Sequence, residues 1–136
     1  LKLCWTGNSS WKAISTGTGS WWINPAGGGT DAGPTPLDYL LVSLGACIGT
    51  ISRIVAMQKK ITLRGMNVTV EGDINTDGLL GKSSDDPVGF KEIRVIADLD
   101  ADMSAEEKEA FLHEVDARCP VSFNLLNSTS VKISAA

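Results

Sequence analysis

The hydrophobic pattern changes its period several times along the chain, and each change predicts an element. "LKLCW", "SWKAIST" and "SWWIN" are short runs rich in β-formers, parted by the turn-prone "TGNS" and "GTG". They predict three antiparallel strands of a meander. The glycines and prolines of "PAGGGTDAGPTP" predict a loop that leads into a helix. Thr35 can cap that helix, and Pro36 can take its first position, where a missing N–H costs nothing. From Leu37 to about Lys59 apolar residues fall on nearly every face, with charge only at Asp38, Arg53 and the final lysines. A helix that is apolar all round belongs in the centre of a core.

Farther on, "MNVTVEGDI" sets Val68 and Val70 against Thr69 and Glu71, and "FKEIRVIADLD" does the same with Ile93, Val95 and Ala97. Alternation of this kind predicts half-exposed antiparallel strands. The polar "NTDGLLGKSSDDPVG" between them predicts a long, mobile hairpin connection. Ser104 with Glu107 three residues on forms a capping box, so a surface helix starts in "SAEEKEAFLHEVDAR". "CPVSFNLLN" starts another, with Pro120 at its first position, and "SVKIS" is expected to close the fold as a strand. The order β-β-β-α-β-β-α-α-β, without repeat or linker, predicts one α+β domain over residues 1–136.

Composition narrows the classes. A chain of 136 residues with 43% hydrophobic and 21% charged residues is that of an ordinary globular domain. A formal net charge of −4 without a basic stripe argues against a nucleic-acid partner. The charge-free stretch from Tyr39 to Ser52 is shorter than the ~20 residues of a membrane helix, so no membrane association is expected. No secretory signal pattern is visible, and three cysteines without CxxC spacing suit a reducing cytoplasm. The Asn-x-Ser/Thr triplets at Asn8, Asn67 and Asn127 then carry no glycan.

Several motifs fail on spacing. "GKSS" lacks the first glycine of a phosphate loop, since Thr76 stands there. "GGGTDAG" reads as a connector rather than an anion cradle, and His113, the only histidine, sits on a solvated helix face. One histidine and dispersed cysteines give no metal-ligand pattern, so neither metal nor cofactor is assigned.

The cysteines remain. Cys4, in an edge-like first strand, reads as a small core hydrophobe. Cys119 occupies an N-cap before Pro120, beside Arg118, where a thiolate would be stabilised. That position reads as chemically poised. Cys47 lies in the apolar helix with Ser43 one turn before it and Thr50 nearly one turn after.

"TPLDYLLVSLGAC", with proline eleven residues before the cysteine, and "RCPVS" together resemble the family of osmotically inducible protein C (OsmC) and organic hydroperoxide resistance protein (Ohr). The resemblance extends over nearly the whole chain. It implies an OsmC-like fold of antiparallel sheets around a long buried helix, in an intertwined homodimer with active sites at the subunit interface. It also implies a thiol peroxidase for organic hydroperoxides, in which Cys47 is the attacking residue and Cys119 the resolving one, with a dithiol as reductant. A cysteine pair suits that chemistry, because a sulfenic acid that condenses with a second thiol escapes irreversible oxidation.

Two positions depart from the peroxide-resistance branch. Leu37 stands where that branch has a glutamate, with Asp38 one residue on, and no arginine precedes Arg53. Activation of Cys47 must then come from elsewhere, Lys12 and Arg53 being the basic candidates. Leu37 also favours an alternative, a non-catalytic protein that binds a small apolar molecule in the same interface pocket. A third reading makes both cysteines mere core residues of a dimeric scaffold. Trp5, Trp11, Trp21 and Trp22 all fall in the first 22 residues, where they are expected to pack the meander onto the helix or across a dimer seam.

Overall fold

The computed structural model describes residues 2–5, 11–14, 35–83 and 85–136, with side chains from Thr35 onward. Among the described residues, four strands form one antiparallel sheet: β1 (Lys2–Trp5), β2 (Trp11–Ile14), β3 (Gly65–Asp73) and β4 (Glu92–Asp100), in the order β2-β1-β3-β4. β1 therefore lies inside the sheet, with Cys4 paired to Asn67 on one side and Lys12 on the other. This corrects the edge placement expected for Cys4, because the first strand takes the edge of the β3/β4 hairpin that the sequence leaves open. The expected "SWWIN" strand and the tryptophan side chains lie outside the described residues.

Helix α1 (Pro36–Lys59) packs against β3 and β1 of the sheet. Its start carries a full capping box. The Thr35 hydroxyl accepts from the Asp38 N–H at 3.1 Å, and the Asp38 carboxylate accepts from the Thr35 N–H at 2.8 Å. The helix ends at Lys60, whose left-handed φ of 57° turns the chain towards β3.

By length and apolar content α1 is able to cross a bilayer, but here β3 and helix α2 (Ala105–Ala117) pack on it. Its buried positions, Leu41, Leu44, Gly45, Ile48, Gly49, Ser52, Val55 and Ala56, recur at helical spacing and form one stripe. That stripe meets Met66, Val68 and Val70 of β3 and Phe111 and Val115 of α2 in one core cluster. Val55, Val68, Val70 and Val115 are fully buried, each contributing about 1.5–3 kcal/mol by leaving water. The expectation of an all-round buried helix needs correction within one chain. Tyr39, Leu40, Ile54 and Met57 remain exposed.

The described residues of the β3–β4 connection carry hydrogen bonds of their own. The Asn75 side chain accepts the Asp77 N–H at 3.0 Å and donates to Asp86 at 2.7 Å, while the Lys82 N–H reaches the Asp77 carbonyl at 2.9 Å. Asparagine supplies this turn because its short amide can mimic the backbone. Helix α2 has its expected capping box at Ser104 and Glu107, and helix α3 (Pro120–Leu126) follows after Cys119. The closing strand is not formed. Residues 130–134 have no strand partner among the described residues, and Val131 and Ile133 are 78% and 94% exposed. An alternating pattern becomes a strand only where a sheet edge accepts its hydrogen bonds.

Candidate active site at Cys47 and Cys119

The fold brings together the two cysteines that the sequence singles out. Cys47 lies mid-way along α1 and is half-buried; Cys119 caps α3 and is 1% exposed. The Cys119 thiol donates to Cys47 Sγ across 2.9 Å. That is about 0.9 Å longer than a disulfide bond, so a small closure would join the sulfurs.

Cys119 occupies the N-cap expected of it, and its sulfur accepts the Ser122 N–H at 3.4 Å. The expectation that this position yields a stabilised thiolate is overturned. Burial, followed by the hydrogen bond to Cys47, pushes the Cys119 thiol up from 9.0 to about 11. The Ser122 and Val121 amides act in the opposite direction and do not prevail. Arg118 does not offset this either, because its guanidinium turns away to Gln58 at 2.9 Å and Glu114 at 3.4 Å. Glu114 also pairs with Lys59, so these side chains brace the end of α1 against α2.

The small polar residues expected to serve Cys47 do not do so. The Thr50 hydroxyl donates to the Ala46 carbonyl at 2.9 Å within the helix, and Ser43 is exposed. Asp38, the acid nearest the missing glutamate, is committed to its cap: Oδ2 accepts both the N–H and the hydroxyl of Thr35 at 2.8 Å. The Lys12 side chain lies outside the described ones. His113 is exposed on α2, as its helix face predicts.

Two cavities lie along α1, and neither cysteine lines them. One, of about 630 Å³, is lined by Leu44 and Ile48 from the Cys47 stretch of α1, by Ile93 and Val95 of β4, and by Asp116 and Ser122 next to Cys119. The other, of about 610 Å³, lies under the start of α1, where Leu37 and Leu41 face Ile74, Leu79 and Val88. Phe90 lines both and separates them. Sequence reading missed Asp116, Ser122 and Phe90. The signal for Ser122 was its spacing, three residues after the N-cap cysteine, where a capping side chain looks for its partner.

A family model described as OsmC-like protein matches residues 28–134. No curated protein matches the chain. Among solved structures, an OsmC-like protein from Mycoplasma pneumoniae superposes with a TM-score of 0.62 at 28% identity, over 71% of this chain and 64% of that one. The chain thus spans less than two thirds of that protein. An organic hydroperoxide resistance protein OsmC from Legionella pneumophila, also described as a predicted redox protein, gives 0.60 at 22% identity over 76% and 69% of the two chains. A putative organic hydroperoxide resistance protein from Vibrio cholerae, with captopril bound in one of its active sites, gives 0.52 at 19% identity over 76% and 66%. With a family model that spans most of the chain, and the cysteine pair set between its central helix and its Cys-Pro turn, this protein belongs to the OsmC/Ohr family.

Proposed function

We propose that this protein is a thiol peroxidase that reduces organic hydroperoxides, with Cys47 attacking and Cys119 resolving. The observation that carries the reading is the 2.9 Å contact between two sulfurs 72 residues apart in sequence. The two thiols are unequal. Cys119 is buried, which raises its thiol pKa, whereas Cys47 is the more exposed. In the first step Cys47 sulfur attacks the peroxide O–O bond, the alcohol departs, and a sulfenic acid remains on Cys47. Cys119 sulfur then displaces the hydroxyl group, water leaves with the Cys119 proton, and the Cys47–Cys119 disulfide forms. A dithiol reopens it by exchange. The apolar part of the 630 Å³ cavity wall, Leu44, Ile48, Ile93 and Val95, suits the organic part of such a peroxide.

The working unit under this reading is a homodimer. Exposed apolar residues on α1 (Tyr39, Leu40, Ile54, Met57) and α3 (Phe123, Leu126) supply a surface for a second copy. The decisive test treats the reduced protein with one equivalent of an alkyl hydroperoxide and maps its thiols by mass spectrometry. A Cys47–Cys119 disulfide with stoichiometric alcohol supports the reading, and unchanged thiols overturn it.

A second reading, binding of an apolar small molecule without turnover, draws on one observation. Leu37 and its neighbours make the 610 Å³ cavity apolar where the family's glutamate would stand, and Asp38 is occupied by its cap. Native mass spectrometry of freshly purified protein distinguishes it, through a co-purifying apolar ligand in a protein that consumes no peroxide.

A further inference from the structure

We infer that Asp116 and Ser122 are positioning residues that hold Cys119 in line for disulfide closure, a role that rests on the resolving function proposed for Cys119. Asp116, near the end of α2, holds both sides of that cysteine. Its backbone carbonyl accepts the Cys119 N–H at 3.0 Å, and its carboxylate Oδ1 accepts the Ser122 hydroxyl at 2.5 Å. Ser122 in turn directs its own N–H at Cys119 Sγ from 3.4 Å. The Cys119 backbone and sulfur are therefore both fixed through one aspartate.

The arrangement departs from an ordinary helix start. In a capping box the third helical residue returns its side chain to the N-cap N–H. Here Ser122 occupies that position, yet its hydroxyl reaches back to Asp116, and the N–H of Cys119 is taken by the Asp116 carbonyl instead. Helix α3 has only 7 residues, too few to hold its own first turn firmly. The bond to Asp116 ties that turn to the 13-residue helix α2. Ser122 is buried at 8% exposure while Asp116 is exposed, so the bond is shielded from competing water at its serine end.

Closure demands such control. The Cys119 sulfur must approach Cys47 Sγ along the S–O bond of the sulfenic acid, forming S–S as S–O breaks and the hydroxyl leaves as water with the Cys119 proton. A thiol swinging on a frayed turn would spend most of its time out of line. Misalignment slows a reaction of this kind without removing any reacting group.

The experiment separates closure from peroxide attack and from the peroxidase reading itself. Closure is driven in the reduced protein by oxidised dithiothreitol, with no peroxide present, and the Cys47–Cys119 disulfide is followed by quenching and mass spectrometry. Ser122→Ala and Asp116→Ala are expected to slow closure roughly fivefold or more, the factor carried by one net hydrogen bond of ordinary strength. Ser122→Thr, which keeps the hydroxyl, should restore the rate. Closure at the parental rate in Asp116→Ala overturns the inference. So does a Ser122→Thr protein as slow as Ser122→Ala, since the loss would then reflect packing. If parental protein consumes no hydroperoxide while the variants still close slowly, the peroxidase reading fails and the positioning role stands.

Discussion

Cys119 Sγ lies 2.9 Å from Cys47 Sγ, the first on a residue 1% exposed and the second on a residue half open. Under the proposed roles, this difference in exposure leads to a first prediction. Cys47→Ser should abolish hydroperoxide consumption entirely. Cys119→Ser should still take up one equivalent and stop at a Cys47 sulfenic acid, which dimedone traps and mass spectrometry reads as a single adduct.

Stability should respond to alkaline pH through Cys119. Its pKa is raised from 9.0 to about 11 by burial and by the bond to Cys47. The folded state therefore keeps a proton that the unfolded chain has lost. Stability from this group is complete below the unfolded value and falls as pH rises through the folded one. Urea denaturation between pH 8 and roughly pH 11 should show that decline, and the decline should be shallower in Cys119→Ser.

Ser52 is fully buried on α1, and its hydroxyl has no hydrogen-bond partner among the described residues. A buried unpaired hydroxyl destabilises a fold by roughly 1–3 kcal/mol. Ser52→Ala should hence raise stability by about 1 kcal/mol, after allowance for lost packing. The denaturation midpoint measures it, and a lower midpoint would assign the hydroxyl an unseen partner.

Gly72 faces the ring of Phe90, the wall between the two cavities. A Cβ at Gly72 would lie 2.6 Å from Phe90 Cε1, so alanine there must displace the ring. Gly72→Ala is expected to cost about 1–3 kcal/mol as overpacking. Gly89→Ala, whose Cβ would meet nothing within 4 Å, serves as the control with little change.

Dimerisation should govern stability. Met57 on α1 and Leu126 on α3 are 73% and 75% exposed in one chain, alongside Tyr39, Ile54 and Phe123. Covering them with a second copy should bury more than the ~1,600 Å² of an ordinary complex. The thermal midpoint should then fall on dilution. A folded monomer by light scattering at micromolar concentration would contradict this.

Much of the local structure could be read directly. The starts of α1, α2 and α3 stand where Thr35 with Pro36, Ser104 with Glu107, and Cys119 with Pro120 place them. Caps and periodicity act within a few residues, so the order of letters suffices to define them. The alternation of β3 is legible for the same reason, with Val68 and Val70 buried while Asn67 and Glu71 face water; in β4 it is not, since Val95 is exposed.

What depended on distant partners was not legible. "SVKIS" has the letters of a strand and Cys119 those of an activated thiol, yet residues 130–134 form no strand and burial raises the thiol's pKa. The sequence alone determined which cysteines stand in helical settings, and their resemblance to a known pair suggested a joint role. Only the tertiary structure decided that their sulfurs meet, that Cys119 is the more buried, and that Asp116 and Ser122 hydrogen-bond around it. The reason is physical: a local pattern specifies backbone conformation, whereas proximity, burial and protonation depend on what the rest of the chain packs around a residue.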